Sequence, residues 1–224
     1  KASLPATILA VYVCLLASVA VIGLVVQQMR TTRASQYAPA MIPLRKAFGC
    51  IANASWTLIE GDKSEDAFRE HLQHSLQFLA ETFSLVTGAP CRASIKMTFA
   101  QASGVGDAVD IRVYTLCRSH EDDSDDPASS YDRVDNNTDF RQVFEDNAAY
   151  FFCNNLPAEL EKGYQNSHWT PQVIQSRSFK YRTTIVWPIS RARARMDGPV
   201  GRKREVIGFL CVDNQAVNSF NETY

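Results

Sequence analysis

From Leu4 to Val26 the chain reads LPATILAVYVCLLASVAVIGLVV, 23 residues without a charged side chain. At about 1.5 Å of rise per residue, a helix of that length reaches roughly 30–35 Å, the thickness of a bilayer's hydrocarbon core. A cleavable leader has an apolar core of only about 7–15 residues with small residues close behind it. A helix buried in a soluble core keeps a polar face, and this run has none. The run predicts a transmembrane helix within residues 1–29 and attachment to a membrane through Leu4–Val26. Arg30, Arg33, Arg45 and Lys46 follow it and only Lys1 precedes it, so the positive-inside rule predicts that the rest of the chain lies in the cytoplasm.

The remaining residues of this 224-residue chain suffice for one ordinary domain. A net charge of −1 gives no global attraction to nucleic acid. Cys14, Cys50, Cys91, Cys117, Cys153 and Cys211 are scattered and form no CxxC pair. That spacing is expected of free thiols in a reducing compartment rather than of a disulfide framework or a zinc site. His71 and His74 have no third ligand at metal-binding spacing, and no motif calls for a cofactor.

Residues 30–60 form a juxtamembrane segment, interrupted early by Pro39 and Pro43. Leu44, Phe48, Ile51, Ser55 and Leu58 then recur at helical spacing and predict a helix over 41–60. The domain proper is expected over 61–224. Its first helix starts at Asp62 or Ser64, follows a stripe of Phe68, Leu72, Leu76, Leu79, Phe83 and Val86, and stops at Gly88 and Pro90. Ala93, Ile95, Met97 and Phe99 alternate with Arg92, Ser94, Lys96 and Thr98, which is the period of a strand. Val109, Ile111, Val113, Thr115 and Cys117 line one side of a second, and the two predict an antiparallel pair.

Residues 119–139 carry eight carboxylates against Arg133 and lack the glycine and glutamate of a calcium loop, so they predict a solvated loop. Asp139 is expected to cap a short helix with Phe140, Val143 and Phe144 facing inward. A strand in AYFFCNNLP, helical turns ending at Gly163, and two strongly apolar strands, YRTTIVWPIS and EVIGFLCVDN, complete the order. The sum predicts an α+β fold, a central antiparallel sheet flanked by helices.

This order resembles the GAF family of small sensory domains. The likeness rests on the helix over 64–87, the strand pair over 91–118, the segment NTDFRQVFEDNAAYFFCNNLPA and the final pair YRTTIVWPI and EVIGFLCVDN, within which Gly208-Phe209-Leu210-Cys211-Val212-Asp213 fits the family's last strand. It spans residues 45–224. The cyclic-nucleotide type carries Asn-Lys after this strand and then a Phe. Asn214 and Phe220 fit, but Gln215 stands where the lysine would. No cysteine of the domain is followed by histidine, so the resemblance implies no covalent bilin. It does imply a further helix after Asn214, cut short here, and an output module beyond Tyr224.

The resemblance implies a pocket under a polar, aromatic loop, and several residues become candidate ligand contacts. They are the strand-end pair Asn154 and Asn155, then Tyr164, Asn166, His168 and Trp169 of the loop, then Asp213 and Asn214 at the tip of the last strand. Each also has a structural alternative as a turn, cap or anchoring residue. Arg191, Arg193, Arg195, Arg202, Lys203 and Arg204 form a basic hairpin without interleaved aromatics, suited to anionic lipid head groups more than to nucleic acid. Three functions follow: a membrane-anchored sensor of a small molecule or a partner protein, an assembly or oligomerisation module without a ligand, and a cysteine-dependent reductase of the type found on one branch of the GAF fold.

Overall fold

The computed structural model describes residues 37–57, 59, 65–102, 109–120, 131–191 and 205–220. Leu4–Val26 therefore lies outside the described residues. Among those described, no helix is long and apolar enough to cross a membrane.

Residues 37–57 form helix α1. Pro39 and Pro43, expected to interrupt the segment, lie inside it, and Pro43 is buried. A proline there removes one backbone bond, and burial of its ring offsets part of that loss. The packed side of α1 is also not the stripe of large residues. Ala40, Ala47 and Ala54, seven apart, are buried, whereas Phe48 and Ile51 are exposed. Small side chains allow a close approach to helix α2, Glu65–Thr87. The Ser75 hydroxyl of α2 donates to the Ala47 carbonyl at 3.1 Å.

Helix α2 ends as its sequence requires. Gly88 takes φ +70°, and its N–H bonds the Ser84 carbonyl at 2.9 Å. Pro90 then turns the chain into the sheet.

The strands are β1 (Cys91–Ala102), β2 (Val109–Arg118), β3 (Asp132–Arg133), β4 (Phe151–Cys153), β5 (Thr183–Arg191) and β6 (Glu205–Asn214). They form one antiparallel sheet in the order β3-β2-β1-β6-β5-β4, with β1 and β6 at its centre. Both edge strands are very short, which limits the unpaired backbone at the margins. The mixed helix-and-strand class with an antiparallel sheet is as the sequence predicts.

Between β1 and β2 the register shifts, so that Ile95 faces Cys117 but Lys96 faces Thr115. Leu116 is the extra residue of a bulge. It turns Cys117 to the opposite face from Ile111 and Val113, against the simple alternation expected of this strand.

Two apolar clusters cover the two faces. On the α2 face, Leu76 and Ala80 meet Ala93, Ile185, Val212 and Phe220. On the other, Val113, Val186, Phe209 and Cys211 pack beneath helices α3 (Thr138–Phe144) and α4 (Leu156–Glu159) and an aromatic group containing Tyr164 and Trp169. A 3-10 turn after α4 ends at Gly163, φ +94°. A further short helix, α5 (Pro171–Ser176), which the sequence reading did not anticipate, starts with the Thr170 hydroxyl accepting from the Val173 N–H.

Asp139 does not cap α3. The residue at the cap is Asn137, and Asp139 lies one residue inside the helix, buried. Its Oδ1 accepts from the Phe140 N–H at 2.9 Å, and its other oxygen faces the interior below the sheet's second face.

Candidate functional site

The segment from Ser167 to Tyr181 arches over the second face of β1 and β6 and leaves a cleft of about 420 Å³. That size lies within the range of small-molecule sites. Its floor follows from strand alternation. Arg92, Ser94 and Lys96 project from one face of β1 toward the cleft, while Ala93 and Ile95 go to the α2 cluster. Pairing brings Arg118 opposite Ser94 and Asp213 opposite Arg92. His120, Lys180, Tyr181 and Trp169 contribute to the walls.

The side chains are held by named contacts. The Arg92 guanidinium lies over the Tyr181 ring at 5.7 Å. Lys96 Nζ donates to Thr115 Oγ1 at 3.3 Å, a contact that exists because the Leu116 bulge puts Thr115 opposite it. Asp213 accepts from the Thr184 hydroxyl at 2.6 Å. Trp169 packs on Phe179 at 4.7 Å and on Tyr164 at 5.4 Å between ring centres.

Beneath the cleft lies a polar chamber of about 30 Å³, lined among others by Lys96, Asp132, Asp139, Asn166, Tyr181 and Asp213. This is room for a water-sized group. Burial raises the Asp139 carboxyl to about 6; the Asp213 charge adds to the rise, while the Phe140 N–H and Lys96 oppose it. Burial also pushes up the Tyr164 and Tyr181 phenols, helped by Asp139 and Asp213 respectively. Burial opposes ionisation of Asp132 as well, but hydrogen bonds from His168 and Ser167 prevail and hold its carboxyl below the usual range. His168 Nε2 lies 3.0 Å from Asp132 Oδ2.

The sequence-predicted candidates divide between two places. His168, Trp169 and Asp213 line the cleft, and Asn166 lines the chamber, where its amide donates to Tyr181 Oη at 2.8 Å. Tyr164 lies behind them, buried, its hydroxyl 3.4 Å from Asp139.

The three other asparagines serve the chain's own backbone. Asn155 caps α4 by accepting from the Ala158 N–H. Asn154 clamps the segment after β6, accepting from the Phe220 N–H at 3.0 Å and donating to the Phe220 carbonyl. Asn214 is buried on the α2 side, where its amide meets Thr87 Oγ1 and the Ala89 carbonyl, each at 3.2 Å, and Cys91 Sγ at 3.1 Å. Its Oδ1 accepts from the Ala216 N–H at 2.7 Å. Phe220 packs there too, so the Asn and Phe that carry the likeness to the cyclic-nucleotide type both lie away from the cleft.

The floor residues Arg92, Ser94, Lys96 and Arg118 were not singled out in the sequence. Their signal there is the polar half of the β1 alternation, which becomes a site only once β1 is known to be central and covered.

Of the basic hairpin, Arg191 is described, and it makes a double contact with Glu205 at 2.8 and 2.9 Å. Arg193, Arg195, Arg202, Lys203 and Arg204 lie outside the described residues. Burial pushes the Cys117 thiol up to about 11 and raises those of Cys153 and Cys211, which suppresses the thiolate that nucleophilic chemistry requires. Among the described residues no group of metal-ligating side chains could hold an ion. No protein-family model matches the sequence, and no curated protein or solved structure matches it.

Proposed function

We propose that this chain is a membrane-tethered, GAF-like sensory or regulatory module, with its domain in the cytoplasm and a small molecule as its signal. The observation that carries this is the cleft between the central strands and the 167–181 segment, with charged residues on its floor and aromatic rings in its wall. The 165–181 segment is held by the packing of Trp169, Val173, Phe179 and Tyr181 against the core and by polar contacts to β3 and α3, Ser167 Oγ to Asp132 at 2.7 Å and the Gln165 N–H to Thr138 Oγ1 at 2.9 Å. A ligand beneath it bears on those contacts and on α3, and so has a mechanical route into the domain. The test is release of a bound molecule. The full chain is purified in detergent, denatured, and the filtrate analysed by mass spectrometry. A stoichiometric small molecule supports the proposal. An empty filtrate, with no change in unfolding midpoint on adding the small-molecule fraction of a cell extract, counts against it.

A second function, assembly through α1, is favoured by one observation. Met41, Ile42, Phe48 and Trp56 are each more than half exposed on a helix whose buried residues, among those described, are Ala40, Pro43, Ala47 and Ala54. Surfaces of this kind mark protein contacts. A monomer at micromolar concentration in crosslinking would exclude it.

A further inference from the structure

We infer that α1 pairs with the α1 of a second copy of this chain, the two helices side by side, parallel and in register. This rests on the reading of α1 as an assembly surface and adds which partner it takes and in what orientation. α1 carries two strips of the same spacing. Ala40, Pro43, Ala47 and Ala54 are buried, and Ser75 of α2 bonds the Ala47 carbonyl. Met41, Leu44, Phe48, Ile51 and Ser55 follow at steps of three, four, three and four. Each comes one residue after a position of the first strip, so the second strip points about 100° away from it. Met41, Phe48, Ile51 and Ser55 are exposed and Leu44 is half-buried.

The spacing identifies the occupant. An alternation of three and four keeps one line of side chains against another helix at a shallow crossing angle, as in the seam of a coiled coil. A flat surface imposes no such step. Across residues 37–57 the charged side chains are Arg45 and Lys46, and neither falls on the strip. Lys46 Nζ lies over the Phe78 ring of α2 at 5.2 Å. In a parallel pair Arg45 faces the second copy's Ala40, not its own counterpart. The strip therefore holds nothing that opposes meeting itself, and no charge that would select a different partner.

Area and tether set the orientation. Residues 37–57 make a helix about 30 Å long. Its exposed large side chains offer on the order of 100 Å² each. Two copies then bury roughly 1,000 Å² in total, the low end for a specific interface. Confinement of both copies to one bilayer through Leu4–Val26 raises their effective concentration and favours a contact of that size. Residues 27–36 separate that run from α1 in each copy, so both helices start at the same distance from the membrane. Equal starts make the pair parallel and put each strip residue beside its own counterpart.

The test is disulfide crosslinking of the full chain in lipid vesicles, in a background carrying Cys14→Ser and Cys50→Ser. Met41→Cys and Ser55→Cys sit at the two ends of the strip, and Asn53→Cys is an exposed control off it. Under mild oxidation Met41→Cys and Ser55→Cys are each expected to give a dimer alone, and Asn53→Cys none. Phe48→Asp, on an exposed side chain whose loss leaves the fold intact, is expected to weaken the association about tenfold or more. A dimer formed only when Met41→Cys and Ser55→Cys chains are mixed overturns the inference, because the helices then run antiparallel. Crosslinks that persist undiminished with Phe48→Asp also overturn it, since the contact then lies elsewhere. An assembly that Phe48→Asp dissolves, but in which neither end crosslinks to itself, overturns the pairing and leaves α1 as an assembly surface for another protein. A monomer whose Trp56 fluorescence is quenched by brominated lipid, read against Trp56→Phe, removes both and assigns the face to the bilayer. A monomer without such quenching also removes both.

Discussion

The two faces of the sheet are built from the same strands and packed to different ends. Under α2 the interior is apolar, and its buried polar groups are satisfied by fixed backbone partners, as Asn214 is. Under the 165–181 segment the interior holds Lys96, Asp139, Tyr181 and Asp213 around a chamber, with Tyr164 buried behind Asp139. Burying ionisable groups costs stability unless each is well partnered. One face therefore anchors the fold, and the other retains polar groups that an apolar core of the same shape would replace without loss. Such local departures from the packing that stability favours are characteristic of sites.

The largest effect expected from breaking the anchoring arrangement is at Gly208. It pairs with Met97 on one side and Ile189 on the other. A Cβ there would stand 2.5 Å from the Lys96 carbonyl oxygen and 3.0 Å from Met97 Sδ. Gly208→Ala must push the two central strands apart. The expected loss is about 2–4 kcal/mol, read as a fall of about 5–15 °C in the thermal midpoint.

Asn214→Ala comes next. It leaves the Ala216 N–H and the Ala89 carbonyl without their side-chain partner. A loss of about 1–3 kcal/mol is expected in denaturant titration.

The smallest effect is at His168. Its ring is 38% exposed, so its pair with Asp132 contributes less than about 1 kcal/mol. Asp132 ionises below its ordinary range. Its contribution is therefore fully present above the unfolded value and fades as pH falls through the folded one. His168→Gln should flatten that acid-side loss in unfolding curves recorded below pH 5, while changing stability at pH 7 very little.

How much of this was legible in the sequence differs between the faces in the same way. The α2 face was readable because burial and periodicity coincide: the Leu76, Leu79 and Phe83 stripe and the Gly88 stop behave as their spacing dictates. α1 was harder, because its packed side is marked by alanines, which carry little hydropathy signal, while its large residues point outward. The cleft was half legible. The 164–169 loop stood out by its aromatic and amide content, but its partner surface did not. Arg92, Ser94 and Lys96 look like the solvent side of an ordinary strand until sheet order makes β1 central. Asp139 looked like a cap because aspartate near a helix start usually is one. Only tertiary packing turns it into a buried acid beside Tyr164. Register changes such as the Leu116 bulge leave no mark on a period-two pattern, so Cys117 was assigned to the wrong face.

The contrast between the faces is tested most directly at Asp139. Its folded carboxyl titrates near 6 against an ordinary 3.8. The folded state thus binds more protons between those values, and stability falls as pH rises through that window, then levels off. At pH 7 the buried charge costs up to about 3 kcal/mol. Asp139→Asn keeps the shape and the acceptor for the Phe140 N–H while removing the charge. Denaturant unfolding of the full chain should find the variant more stable than the parent by about 1–3 kcal/mol at pH 7 and nearly equal to it at pH 4. A variant no more stable at pH 7, or shifted equally at both pH values, would contradict the claim that the cleft face holds its polar groups against stability.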